Sequence, residues 1–279
     1  MPEQINAEAN AETKAEILFD TLLFDVADNV ATITLNRPEH FNALNYQMAD
    51  DLLAAAIQCD ERSDIRAVII TGAGDKAFCA GGDLHSFHAY APDMASHLKL
   101  VTLLLHGAVS RFTRMDAPVI AAINGVAAGA GISFVGFPDL AIASSEARFV
   151  SAYTGSGLTP DGSSTYFLPR IIGQRRYLEL AMTNRMLSAD EAADWGLVNK
   201  VVPHDSLRQE ARALATTLAA GPSRAFGRLK DMVHHSFGAS AEGQMELEAR
   251  MLADSTKTED GKAGIAAFVG KTKPVFSGK

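Results

Sequence analysis

The sequence lacks most of the features that mark secreted and membrane proteins. Its 279 residues include only two cysteines, which form no CxxC pair, so we expect a reducing compartment and no disulfide framework. No apolar run approaches the roughly 20 residues that a membrane-spanning helix needs. The acidic segment of residues 1–16 has neither the basic nor the apolar stretch of a signal peptide. We therefore expect a cytoplasmic protein, without membrane association, that begins with a flexible tail.

Charge and missing motifs argue against further classes of function. The net charge of −8 argues against a nucleic-acid partner, although a local cationic patch would still accommodate an anionic small ligand. The chain has no GxGxxG after a predicted strand and no GxSxG, so dinucleotide-binding and α/β-hydrolase folds have little support. His85 and His88 have helical spacing but no evident third ligand. We interpret them as surface histidines on a loop and expect no metal.

Apolar periodicity alternates between strand and helix through the first two thirds of the chain. Strands are predicted at residues 17–26, 30–35, 67–71, 119–123, 140–143 and 148–150, and helices at 46–59 and 96–114. A capping box at residues 188–191 opens a short helix. Four further helices are predicted at residues 206–219, 222–236, 241–255 and 259–269. The pattern predicts an α/β core with a mostly parallel sheet over residues 17–205, followed by a helical region over residues 206–279.

Two glycine-rich segments are the strongest sign of chemistry. They are AFCAGGD at residues 77–83 and NGVAAGAG at residues 124–131, and each lies between a β-branched run and a stretch that can be helical. A turn from strand to helix leaves backbone N–H groups free to point at a ligand. One such segment alone is more simply a tight turn that needs glycine. Two of them, converging on one point, would form an oxyanion hole.

These segments, with LNRP at residues 35–38, NAL at 42–44 and PVIAAING at 118–125, resemble the enoyl-CoA hydratase/isomerase (crotonase) superfamily. The resemblance extends from about residue 17 to Phe276. It implies a spiral of ββα turns, a helical C-terminal trimerisation region, and a trimer or dimer of trimers that acts on acyl-CoA thioesters. Coenzyme A would enter as part of the substrate, with no separate cofactor.

The resemblance assigns the oxyanion hole to the backbone N–H groups of Gly82 and Ala130. Enolisation of a thioester places negative charge on its oxygen, and each preorganised donor stabilises that charge by about 3–4 kcal/mol. The hydratases of the superfamily also use two glutamates, whose positions fall here on Ser133 and Tyr153. Neither side chain carries a carboxylate, so we do not expect ordinary hydration by that pair.

One carboxylate remains, Asp161 in GLTPDGSS at residues 157–164. It occupies the position where double-bond isomerases of the superfamily carry an acid, and residues 153–170 are most similar to the ring-epoxide isomerases of phenylacetyl-CoA breakdown. A single base can remove a proton and return it nearby. We expect Phe134, Phe137 and Tyr153 to form an apolar pocket that raises the pKa of Asp161, with Ser133 shaping the acyl pocket. In isolation, an aspartate in Pro-Asp-Gly is more often a turn residue.

Asp161, Tyr153 and His106 also partly reproduce the site of the 4-chlorobenzoyl-CoA dehalogenases. Those enzymes place an aromatic residue eight positions before an aspartate nucleophile and a histidine base on the preceding helix, but their aromatic residue is tryptophan. We expect His106 near the acyl pocket. The open alternatives to an isomerase are a hydratase with atypical residues, a dehalogenase-like hydrolase and a non-catalytic acyl-CoA-binding protein.

Coenzyme A needs contacts of its own. By resemblance these come from Arg37, Ala43, Ala80, Asp83 and Leu84. The family often has a lysine just after the Asn-Arg-Pro motif, where this chain has Glu39. The C-terminal residues Lys271, Lys273 and Phe276 resemble a tail that reaches the coenzyme A of a neighbouring subunit, although a solvated basic terminus explains them equally well. We expect residues 85–97 to cover the acyl pocket.

Overall fold

The computed structural model describes residues 18–279, so the predicted tail of residues 1–16 and the first residue of the predicted hairpin lie outside the described residues. The strands are β1 (Leu22–Ala27), β2 (Val30–Leu35), β3 (Ala67–Gly72), β4 (Ala77–Cys79), β5 (Val119–Ile123), β6 (Val126–Ala128), β7 (Leu140–Ser144), β8 (Arg148–Val150), β9 (Leu187–Ser188) and β10 (Lys200–Val202). The helices are α1 (Tyr46–Glu61), α2 (Leu84–His88), α3 (Met94–Arg114), α4 (Ala130–Gly136), α5 (Ser164–Ile172), α6 (Gln174–Thr183), α7 (Ala189–Asp194), α8 (Leu207–Ala219), α9 (Ser223–Ser236), α10 (Ala241–Ser255) and α11 (Glu259–Gly270).

Six strands form the larger sheet, in the order β1-β2-β3-β5-β7-β10. The β1–β2 pair is an antiparallel hairpin, and the remaining neighbours pair in parallel. Its central strands β3 and β5 are buried along their whole length. Such continuous apolar strands are typical of a parallel sheet with both faces covered, and the predicted mostly parallel α/β core is confirmed.

A smaller sheet carries the glycine-rich turns. It has the order β4-β6-β8-β9, with β4, β6 and β8 parallel and β9 antiparallel to β8. The chain leaves β4 into the first glycine-rich turn and leaves β6 into the second. Because β4 and β6 are parallel neighbours, both turns emerge at the same edge of this sheet.

The first C-terminal helix covers one face of the larger sheet. Leu207, Ala211 and Ala215 of α8 pack in one apolar cluster with Ile69 of β3 and Ile120 of β5. The opposite face belongs to a larger cluster that includes side chains of α1 and α3. The sheet is therefore enclosed on both sides.

Lys230 of α9 joins the helical region to the core from inside. Its buried ammonium group donates hydrogen bonds to the carbonyl oxygens of Phe112 and Ala117, each at 3.1 Å. It also forms an ion pair with Asp139 at 2.9 Å. A charge this deeply buried needs such partners, and here they come from the end of α3, from the segment between α3 and β5, and from the loop before β7.

Most element positions follow the sequence pattern, and local hydrogen bonds explain their ends. The side chain of Ser188 and that of Glu191 form the predicted capping box at the start of α7. Two predictions were wrong. The first strand begins at Leu22 rather than at residue 17, and His85 and His88 lie in the short helix α2 rather than in a loop. Within residues 18–279, no helix is long and apolar enough to cross a membrane.

Candidate active site

The two glycine-rich turns touch each other. Gly81 has φ +100°, and a Cβ atom placed on it would lie 2.8 Å from the carbonyl oxygen of Ala128 and 3.1 Å from Cα of Gly129. Gly129 also has a positive φ, +52°. Neither position suits a side chain, because the backbone is left-handed and the facing turn fills the space. Glycine at both positions therefore allows the turns to converge, as the sequence predicts.

The convergence brings Gly82 and Ala130 to the wall of one cavity. A parallel bridge joins Leu44 to Gly82, in which the Leu44 amide donates to the Gly81 carbonyl at 2.7 Å and the Asp83 amide donates to the Leu44 carbonyl at 2.8 Å. This pairing leaves the amide of Gly82 outside the bridge. Ala130 is the first residue of α4, so its amide has no acceptor within the helix. Both amides are therefore suited to bind a ligand oxygen.

The cavity beside these amides has a volume of about 280 Å³. Its mostly apolar wall includes Leu84 and Phe87 of α2, and Leu98, Val101 and Thr102 of α3. The predicted cover at residues 85–97 thus contributes Phe87, and the wall continues along α3 beyond that segment. Sequence reasoning missed Leu98 and Val101 as cavity residues, although both belong to the apolar face that predicted the helix.

Asp161 lies in the same cavity and is held by Tyr153, whose hydroxyl group donates a hydrogen bond to Oδ1 of Asp161. Burial raises the pKa of Tyr153, and the neighbouring negative charge of Asp161 raises it further. The phenol therefore stays protonated and acts as a donor. Among the described residues that line the cavity, Asp161 is the only carboxylate.

Two residues predicted to line the acyl pocket, Ser133 and Phe134, do not line the cavity. Ser133 is 1% exposed and donates its hydroxyl hydrogen to the backbone carbonyl of Asp161 at 3.0 Å, so it supports the backbone of the site. Phe134 does not line the cavity. Its ring packs edge-on against Phe137 at 5.6 Å, and Phe137 stacks on Phe112. All of α4 is buried, and these aromatic side chains join the core.

His106 lies near the cavity but does not line it. It is exposed on α3, and its Nε2 accepts a hydrogen bond from the amide of Gly162 at 3.2 Å. The imidazole thus contacts the backbone next to Asp161 and not the carboxylate. The spacing of residues on α3 gave no indication of this contact, because its partner is 56 residues away.

The residues predicted to contact coenzyme A divide into two groups. Ala80 and Leu84 line the cavity. The cavity is not lined by the other three, Arg37, Ala43 and Asp83. The guanidinium group of Arg37 donates a hydrogen bond to the carbonyl oxygen of Ala43 at 2.5 Å and forms an ion pair with Asp83 at 2.9 Å. These contacts stabilise the loop that contains Gly82.

Asp83 is also the N-cap of α2 and accepts a hydrogen bond from the Ser86 amide at 3.0 Å. Partial burial raises the pKa of its carboxyl group, but the bonds from Ser86 and Arg37 outweigh this and hold the pKa below its ordinary value. The carboxylate is therefore ionised at neutral pH and keeps both bonds.

The C-terminal tail is fixed to its own chain. The carbonyl of Phe276 accepts a hydrogen bond from Arg66 at 3.1 Å, and Asp260 accepts from the amides of Ser277 and Gly278 at 2.6 and 2.9 Å. Neither Lys271 nor Phe276 lines the cavity of this chain. Their contact with a neighbouring subunit stays a prediction.

In the described part of the chain, no group of three or more His, Cys, Asp or Glu side chains is placed to hold a metal ion. The features that are brought together are two free amides, one carboxylate held by a phenol, and an apolar wall. Such a site can stabilise an oxyanion and transfer a proton beside it.

Known proteins are similar to this chain in both sequence and fold. The chain is 35% identical over 263 residues to 1,2-epoxyphenylacetyl-CoA isomerase of Escherichia coli K12, covering 94% of this chain and all of the relative. It is 35% identical over 224 residues to 4-chlorobenzoyl coenzyme A dehalogenase-2 of an Arthrobacter species, covering 80% of this chain and 81% of the relative. The crystal structure of an enoyl-CoA hydratase from Bacillus anthracis superposes with a TM-score of 0.87 at 31% identity, covering 93% of this chain and 100% of that one.

The sequence profile of one family, enoyl-CoA hydratase/isomerase, matches residues 25–279. That range contains both glycine-rich turns, Tyr153 and Asp161, together with nearly all of the described fold. The chain is thus a member of the enoyl-CoA hydratase/isomerase family.

Proposed function

We propose that this protein is an acyl-CoA isomerase that uses one carboxylate. The observation that carries the proposal is that Gly82 and Ala130 line one cavity with Asp161, which is the sole carboxylate among the described lining residues. Hydration by two carboxylates has no support in this cavity. The similarity to an enzyme named as an isomerase, 1,2-epoxyphenylacetyl-CoA isomerase, supports the same choice.

In the proposed mechanism, the thioester oxygen accepts hydrogen bonds from the amides of Gly82 and Ala130. The carboxylate of Asp161 removes a proton from the carbon next to the thioester carbonyl, and the electron pair moves onto the oxygen as an enolate. The protonated Asp161 then returns the proton two carbons further along the chain, which shifts the double bond. The amides stabilise the enolate, and Tyr153 holds the carboxylate in place between the two transfers.

A dehalogenase-like hydrolase is the second candidate, because a relative carries that activity in its name. The structure favours it less, since Nε2 of His106 is engaged by the Gly162 amide and the imidazole does not line the cavity. A binding protein without catalysis is the third. Under that hypothesis, the wild type and a variant without the Asp161 carboxylate bind acyl-CoA with the same affinity, and neither turns it over.

The test is a paired assay of the purified protein for isomerisation of a 3-enoyl-CoA and for hydration of crotonyl-CoA. We expect isomerisation without hydration. The Asp161→Asn variant should lose at least about 100-fold in kcat and still bind the acyl-CoA thioester. Asp194→Asn, an exposed aspartate at the end of α7, is the matched control and should behave as wild type.

Each outcome has a definite meaning. Robust hydration by the wild type would mean that another group activates water and would overturn the proposal. An unchanged isomerase rate in Asp161→Asn would show that the base is wrongly assigned. Chloride release from 4-chlorobenzoyl-CoA, in place of isomerisation, would favour the hydrolase.

We also propose a trimer or a dimer of trimers. Large apolar side chains are exposed on α10 and α11, among them Leu252, Phe268 and Val269. Exposed apolar surface of this kind is typical of an interaction site. Sedimentation equilibrium measures the mass directly, and a monomer of 29.7 kDa would contradict the proposal.

A further inference from the structure

The backbone that follows Asp161 is held in an unusual conformation. Gly162 has φ +59° and Ser163 has φ +70°, so two consecutive residues are left-handed and one of them is not glycine. A Cβ atom on Gly162 would lie 2.8 Å from Oγ of Ser133. Left-handed backbone is unfavourable for a residue such as serine, so this segment needs specific bonds to keep its shape.

The peptide unit between Asp161 and Gly162 is bound from both sides. Its carbonyl oxygen accepts hydrogen bonds from the hydroxyl group of Ser133 at 3.0 Å and from the hydroxyl and amide groups of Ser164 at 2.9 and 3.1 Å. Its N–H group donates to Nε2 of His106 at 3.2 Å. The serines therefore fix one edge of the peptide plane, and the imidazole fixes the other.

His106 has a role here that no other side chain among the described residues fills. Gly162 is buried, and a buried amide hydrogen requires an acceptor. The imidazole supplies it through the lone pair of Nε2, so the ring proton is on Nδ1. The orientation of the peptide plane determines the direction in which the Asp161 side chain leaves the backbone.

We infer that His106 is a positioning residue for Asp161. His106 acts through the Gly162 amide and does not itself touch the substrate. The inference rests on the proposed function, in which Asp161 transfers the proton. It assigns to His106 a role that differs from that of a base in the reaction. It also explains how an exposed histidine outside the cavity bears on the chemistry within it.

The test compares three variants in the isomerase assay. His106→Leu removes the acceptor and should lower kcat about 10- to 100-fold with little change in KM, because the carboxylate is misplaced while the cavity is intact. His106→Gln keeps an oxygen acceptor at a similar reach and should recover kcat to within about threefold. His235→Leu, an exposed histidine on α9, is the matched control and should be unaffected.

Amide hydrogen exchange gives a second measurement that does not depend on activity. The Gly162 amide should exchange faster in His106→Leu than in wild type, and His106→Gln should restore its protection. Equal protection and equal kcat in His106→Leu would overturn the inference. So would a loss of kcat in His106→Gln as large as that in His106→Leu, since that result indicates a base. An unchanged rate in Asp161→Asn would instead reject the proposed function, and the exchange result would still decide the His106 contact.

Discussion

The hydroxyl group of Tyr153 donates a hydrogen bond to Oδ1 of Asp161, eight residues further along the chain. Tyr153 precedes a 3₁₀ turn at Thr154–Ser156, and Asp161 lies three residues before α5. The chain between them forms part of the cavity wall, through Leu158 and Thr159. The bond therefore closes a loop and at the same time orients the carboxylate.

Removal of this hydroxyl group should impair turnover more than binding. In Tyr153→Phe the ring still fills its place, but the carboxylate loses its donor and gains rotational freedom. We expect kcat to fall about tenfold with KM nearly unchanged. Steady-state kinetics with a 3-enoyl-CoA measures both. Tyr166→Phe is the control, and a fall in kcat of the same size there would contradict the explanation.

Gly81→Ala should separate the two turns. The added methyl group would lie 2.8 Å from the carbonyl of Ala128 and 3.3 Å from the amide nitrogen of Ala130. Loss of one aligned donor costs about 100- to 1,000-fold in kcat. Gly173→Ala is a matched control, because Gly173 also has a positive φ, +84°, but its added methyl group meets nothing within 4 Å. If both variants lose the same activity, backbone strain and not turn convergence is responsible.

The Arg37–Asp83 pair should make stability depend on pH in the acid range. The pKa of Asp83 is lower in the folded protein than its ordinary value near 3.9, so the folded state binds fewer protons there than the unfolded state. The stabilisation is complete above the unfolded pKa and is lost as the pH falls through the folded pKa.

Asp83→Asn keeps an N-cap but removes the charge, and should lower the free energy of unfolding by about 1 kcal/mol at pH 6. The difference from wild type should shrink below about pH 4. Urea titrations at several pH values measure this. A difference that does not change between pH 6 and pH 3 would show that the charge has no part in it.

Cys59 and Cys79 should resist thiol reagents in the folded protein. Both are buried, and burial raises the pKa of each thiol to about 12. The thiolate is the reactive form, so little of it is present at pH 8. Ellman's reagent should detect no thiol in the native protein and both thiols in guanidinium chloride. Rapid labelling of either thiol under native conditions would be inconsistent with this burial.

Local patterns predicted elements well where one face or one turn determines the structure. The apolar positions of α1 and α3, the capping box at Ser188 and the glycine-rich sequence of each turn are all short-range features. Predictions from local patterns failed where the position of a side chain depends on a partner far along the chain. The sequence around Phe134 does not tell whether that ring faces the cavity or Phe137, since both surroundings are apolar.

The same limitation explains the misplaced polar residues. His106 and Gly162 are 56 residues apart, and Arg37 and Asp83 are 46 apart, so only the folded chain brings each pair together. The resemblance named Arg37, Asp83 and His106 as site residues, but not Gly162. It did not reveal that they contact backbone and one another rather than the cavity.

The buried ammonium group of Lys230 has a consequence for the unfolding of the whole chain. Its partners are the carbonyl groups of Phe112 in α3 and of Ala117 just after it, and the carboxylate of Asp139 in the loop before β7. The helix α9 therefore cannot detach without removing the cation that these three groups share. The helix α8 is bound to the sheet by apolar packing, through Leu207 and its neighbours. Heat should therefore melt the α/β core and the helices α8 and α9 as one cooperative unit, with a single calorimetric transition in place of two.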